Sequence, residues 1–197
     1  MNLFFETMQI KLEGSVKVVV EYFEYALNMI LYQRNVYPNE MFTLVKKYGI
    51  NILKSEDPAL QKYLYSVLMR VKDWIETGQL MKLVLAIINE NTGETVEKWE
   101  FALTIYQVEK ENLQERDICK TIQYILKQIV SSCTSLPILE GNFTFHVLAH
   151  TLDGTAIPNQ WIKSNSHEIN DGEYVHLKSF STSNHDVSTS VQYKSEQ

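Results

Sequence analysis

The segment Leu80–Asn89 reads LMKLVLAIIN, with apolar side chains at odd and even positions alike. Successive side chains of a strand point to opposite faces, so such a run is satisfied as a central strand covered on both sides. The chain must therefore supply cover for a sheet, and three apolar stripes at helical spacing can do so. Val16, Val19, Val20, Phe23, Leu27, Ile30 and Leu31 recur over four turns, with Ser15 as N-cap and Pro38 closing the region. A second stripe, Leu60, Leu64, Val67, Leu68, Val71 and Ile75, starts behind an Asp57 cap with Pro58 at the first helical position and stops at Gly78. Ile118, Ile122, Ile125, Leu126, Ile129 and Cys133 mark a third helix, beginning after Arg116 and ending before Pro137.

Strand signals fill the intervals. Phe42–Leu53 holds room for one short strand interrupted near Gly49. Asn91-Thr92-Gly93 is a hairpin turn leading into alternating Trp99, Phe101, Leu103 and Ile105. Phe143, Phe145, Val147 and Ala149 alternate in the same way after the third helix. A loop spans Leu152–Asn170, followed by strand candidates at Tyr174–Phe180 and Val187–Lys194, the latter with Val187, Thr189, Val191 and Tyr193 on one face. No repeat, linker or composition shift divides the chain, so 1–197 reads as one α+β domain, helices against a largely antiparallel sheet.

Composition narrows the function classes. Eighteen basic against twenty-four acidic residues give a net charge of −6, and no Lys/Arg cluster interrupts that balance, which argues against nucleic acid and anionic membranes as partners. MNLFFETMQI has no basic region and carries Glu6, so it does not read as a signal peptide. No apolar run approaches the ~20 residues of a membrane span. Cys119 and Cys133 fall in one helix, about 21 Å apart at 1.5 Å rise, too far for a bridge.

A search for chemistry returns little. Phosphate loops, a nucleophile elbow and an H-E-x-x-H helix are all missing from the sequence. His146 and His150 are four apart in a strand, about 13 Å, too far for one metal. Ser183, His185 and Asp186 carry the letters of a triad, but adjacent residues in a polar strand loop do not supply its geometry. Catalysis, cofactor and metal are therefore not expected. Trp161 and Phe180 stand out as aromatics in a polar C-terminal quarter, read either as satellite packing or as anchors for a partner or a movable segment.

The stretch LEGSVKVVVEYFEYALNMILYQRNVYP strongly resembles the opening of HORMA-domain proteins. KKYGINIL, KDWI, NTGETVEKWEF, LKQI, LPILE, IPNQW and VHLKSFSTSNHDVSTSVQYK extend that resemblance in order from about Leu12 to Lys194, closest to the family's spindle-checkpoint branch. The resemblance implies a non-enzymatic adaptor with a core over about 12–151 and a mobile C-terminal safety belt over about 152–197. Such proteins add a partner peptide to a sheet edge and close the belt over it. Strand addition draws affinity from backbone bonds and specificity from alternate side-chain pockets. It assigns partner-peptide binding to Val147, Leu148, Ala149, His150, Trp161, Phe180, His185, Val187 and Tyr193, and a closed-state brace to Arg34 and Glu97. A homodimer face between conformers is implied at Lys127, Gln128 and Ser135. Animal members carry Arg and Phe where this chain has Lys127 and Ser135, and Lys cannot reproduce a planar bidentate fork. The implied partners are the WD-repeat activator of the anaphase-promoting complex, a coiled-coil kinetochore receptor, and an AAA+ remodelling ATPase with its HORMA-like adaptor. Nucleus, kinetochore and cytoplasm are the implied locations. The alternatives within the family are a meiotic-axis protein or a translesion-polymerase accessory subunit. Meiotic members carry long extensions, whereas this chain ends three residues past Lys194, which favours the checkpoint branch.

Overall fold

Asp57 does what its place before Pro58 predicts. Its carboxylate accepts from the Leu60 amide at 2.7 Å, and the helix it caps, α2, runs Pro58–Glu76. The computed structural model describes residues 2–106, 114–165 and 167–195, with the backbone alone over 2–13. Two further helices are α1, Asn2–Gln33, and α3, Glu115–Cys133. Strands β1 (Phe42–Lys47) and β2 (Ile50–Ser55) form a separate antiparallel pair, where the sequence suggested one interrupted strand. The turn between them, Tyr48-Gly49, has φ of 48° and 75°. Two residues at positive φ make the tight primed turn that folds a chain straight back on itself.

The main sheet contains β3 (Leu80–Asn89), β4 (Thr95–Ile105), β5 (Phe143–Thr151), β6 (Glu173–His176) and β8 (His185–Tyr193), in the order β5-β3-β4-β8-β6, with β7 (Phe180–Ser181) also on β8. Every pairing is antiparallel. β3 is central, as its apolar faces required: Leu83, Leu85 and Ile87 join the helix-facing core, while Val84, Ala86 and Ile88 are buried on the second face. The alternation expected of the last strand is present, with Val187, Thr189 and Val191 buried.

α1 departs from its predicted start. It begins at Asn2, so Ser15 lies inside the helix and caps nothing. Its hydroxyl instead sits 2.5 Å from both Thr182 Oγ1 and His185 Nδ1, partners from the other end of the chain. Two turns on, Tyr22 donates to Thr189 Oγ1 at 2.7 Å or accepts from it, and its ring meets Phe180 edge-on at 4.9 Å. Phe180 is thus a member of the main core rather than of a satellite cluster. The C-terminal strands and the buried face of α1 form one packed unit.

A buried ion pair ties the opposite ends of three elements. Arg34 Nε donates to Glu97 Oε2 at 2.8 Å, and its other nitrogens donate to the carbonyls of Cys133 and Pro137 at the end of α3. The Trp99 indole donates to the second Glu97 oxygen. Burial raises the Glu97 pKa, and the Arg34 guanidinium works against that rise. Arg34→Ala leaves the carboxylate buried without its cation and should cost about 3–5 kcal/mol in urea unfolding; the double change Arg34→Met, Glu97→Leu should recover most of it.

His185 is fully buried, and burial holds its pKa down to about 4 from 6.5. The unfolded chain therefore binds the extra proton first, so the neutral ring's stabilisation is present above pH 6.5 and is lost as pH falls toward 4. Between pH 7 and 5 this amounts to about 2 kcal/mol. Urea titrations should show that slope in the wild type and a flatter one in His185→Asn.

Candidate functional site

β5 has a neighbour on one side only. It pairs with β3, and no strand among the described residues lies beyond it. Glu90 donates its amide to the Asn142 carbonyl, which fixes the register of hydrogen-bonded pairs. Alternation along an antiparallel ladder then turns the backbone groups of Phe145, Val147, Ala149 and Thr151 away from β3. The Val147 amide is directed at the Tyr63 hydroxyl of α2, a contact that opposes the burial raising that tyrosine's pKa. The remaining outward groups form an open strand template.

A cavity of about 750 Å³ lies along this edge. Residues 146–151 of β5 form one wall, Tyr63, Ser66, Val67 and Trp74 of α2 a second, and Ile157 with Gln160–Asn165 the third. Trp161 meets Trp74 edge-on, ring centroids 4.9 Å apart. Val147 and Ala149 face the helical side of the cavity, and His146, Leu148 and His150 the other side of the strand. Burial and the nearby Lys82 ammonium hold His150 below its ordinary pKa, against the pull of Glu100, which bonds Lys82 at 2.9 Å.

The segment after β5 encircles the edge without pairing to it. It touches the helical side at Trp161, then reaches the second face, where His167 contacts His146 and Thr95. Ile169 accepts from Gln192 of β8 at 3.0 Å, and β6 then pairs with β8. Its path follows one row of the sheet, because His146 pairs with Ala86, Ala86 with Lys98, and Lys98 with Gln192. Lys98 is 8% exposed under this crossing, its ammonium on Glu100. The pass is close at Gly172, where an added Cβ would lie 2.9 Å from Gln192 Nε2 and Ile169 Cγ2.

Of the nine sequence-derived peptide residues, Val147, Leu148, Ala149, His150 and Trp161 gather on the cavity. Phe180, His185, Val187 and Tyr193 lie across the sheet in β7 and β8, where β8 pairs with β4. Arg34 and Glu97 form the ion pair described above, beneath the register pair Glu97 and Tyr193. Lys127 and Ser135 are exposed on or beside α3, while Gln128 accepts from the Lys178 amide at 2.9 Å. Tyr63 and Trp74 were not foreseen as site residues; they flank the core-facing stripe of α2, whose own Val67 also lines the cavity. Among the described residues no group of three His, Cys, Asp or Glu side chains is placed to hold a metal ion, and no helix is long and apolar enough to cross a membrane.

The HORMA domain family model matches residues 15–185. The Saccharomyces cerevisiae mitotic spindle checkpoint component MAD2 is 41% identical over 196 residues, covering 95% of this chain and 99% of the relative. Human mitotic spindle assembly checkpoint protein MAD2A is 37% identical over 190 residues, covering 94% and 93%. Among solved structures, a chain in the crystal structure of the mitotic checkpoint complex superposes with a TM-score of 0.86 at 36% identity, over 92% of this chain and 99% of that one. An unpaired strand edge encircled by a C-terminal segment, and similarity along nearly the whole length, agree: the chain belongs to the HORMA domain family, in the branch of the MAD2 spindle-checkpoint proteins.

Proposed function

We propose that this protein is a spindle-checkpoint adaptor that captures an extended partner peptide on the outer edge of β5, with residues 152–172 closed around it. The observation that carries the reading is the cavity itself: outward backbone groups on one wall, aromatic side chains on another, and a covalent strap across the third. Backbone groups bind any extended chain, and pockets at alternate positions select among them. On the helical side Ala149 is small, so the space before Trp74 and Trp161 suits a bulky apolar residue. On the second face His150 and Lys82 favour a polar or acidic one.

This arrangement holds, orients and retains; it is assembled for binding and not for bond-making. The partners proposed are the WD-repeat activator of the anaphase-promoting complex and the coiled-coil kinetochore receptor, each supplying a segment to β5. Residues from about 152 to 197 act as the belt over a core of about 12–151, and an AAA+ ATPase with its HORMA-like adaptor serves to reopen it. A second copy docks at the α3 face of Lys127, Gln128 and Ser135. Nucleus, kinetochore and cytoplasm follow from those partners.

Synthetic peptides tiled across the WD-repeat activator test the reading by calorimetry. One window should bind tightly, and its affinity should fall at least tenfold in Ala149→Pro, which removes an outward donor while leaving the β3 ladder intact. Unchanged affinity in a folded Ala149→Pro protein would remove β5 from the site. Trp161→Ala loses the edge-on contact with Trp74, so stopped-flow release of the same peptide should quicken by about tenfold with association little changed.

A further inference from the structure

Two imidazoles meet where the crossing segment passes β5, one of them at the end of the cavity wall. His146 is exposed on the second face of β5, and His167 is 9% exposed on the crossing segment. His146 Nδ1 and His167 Nε2 lie 3.4 Å apart, with ring centroids at 5.3 Å and planes at 85°. That is the reach of a long N–H···N hydrogen bond, in which one ring donates to the other. The separation also matches two ligands of one tetrahedral zinc. With Zn–N bonds of about 2.05 Å, two nitrogens stand about 3.35 Å apart and their ring centroids about 5.2 Å apart.

The surroundings support the same chemistry. His167 Nδ1 is 2.9 Å from Thr95 Oγ1. In the tautomer that donates from Nδ1 to that hydroxyl, Nε2 keeps its lone pair for a metal, the outer-shell arrangement usual for ligating histidines. Ser164 Oγ, 3.2 Å from the same Nε2, adds an oxygen donor. Lys98 is paired with Glu100 at 3.2 Å, which moderates its repulsion of a cation.

We infer that His146 and His167, with the Ser164 hydroxyl, form a zinc site that clasps the crossing segment to β5. Imidazole nitrogens suit zinc, whereas magnesium takes carboxylate, carbonyl and water oxygens. One ligand comes from the strand and two from the strap, so the bound ion joins them by coordinate bonds. The site stands on the two rings alone and does not depend on what the edge captures.

Zinc chloride titrated calorimetrically into the full chain should bind one ion per molecule, while magnesium chloride gives no heat. At a hundred times its Kd, zinc should slow amide hydrogen exchange through local opening of residues 160–172 by about a hundredfold. His146→Gln, at an exposed position, and His167→Gln should each abolish both effects with the circular dichroism unchanged; Cys119→Ser should retain both. Zinc binding that is absent, or that persists at full affinity in either glutamine variant, overturns the site. Binding without slowed exchange overturns the clasp.

Discussion

The pairing of β8 with β4 is the choice on which the C-terminal third depends. Once His185–Tyr193 lies against Glu97–Ile105, β5 is left without a neighbour on its outer side. The chain between β5 and β6 must then cross the whole sheet to bring Glu173–His176 onto β8. The open edge and the strap around it are two results of that one pairing. Nothing else in the fold obliges a loop of this length to lie flat on a sheet face.

What secures the choice is buried on the helical side. Val187, Thr189 and Val191 enter the core that α1 organises, and Phe180 packs on Tyr22. The hydroxyls of Ser15 and Tyr22 find partners in Thr182, His185 and Thr189. These polar contacts inside a buried interface select one register, because a slip by one residue would bury serines and expose valines. The ion pair of Arg34 and Glu97 sits under the far end of the same strand, so hydrogen-bonded buried polar groups lie beneath both ends of β8, with His185 Nε2 the one buried side-chain nitrogen left unpartnered among the described residues.

Local chemistry was readable from residues. The Asp57-Pro58 cap, the two-faced apolar strand and the alternation in the last strand each depend on neighbours close in sequence, and each is found where expected. Assignments to partners far along the chain were not readable in that way. Ser15 has the chemistry of a cap, but a helix that continues through it leaves no orphan amides, and its hydroxyl is taken by residues from the other end. Alternation told which face of the last strand turns inward without naming the strand beside it. His146 was weighed against His150 because both lie on one strand. Its actual neighbour, His167, arrives by a loop whose path depends on the crossing of the whole sheet. Tyr63 and Trp74 were hidden for a related reason: on a helix already committed to the core, residues flanking its stripe have meaning only once the strap is in place.

The strap has a topological consequence. Covalent chain from β5 to β6, closed by the hydrogen bonds of β6, β8, β4 and β3 back to β5, makes a loop without a gap. An object held on the edge inside that loop is in the position of an axle in a rotaxane. If the axle is an internal stretch of a protein with folded domains on either side, neither domain can pass through. Loading such a partner therefore requires the C-terminal strands to detach and be laid down afresh, and its residence time is set by the stability of a piece of the fold rather than by the contacts along the groove.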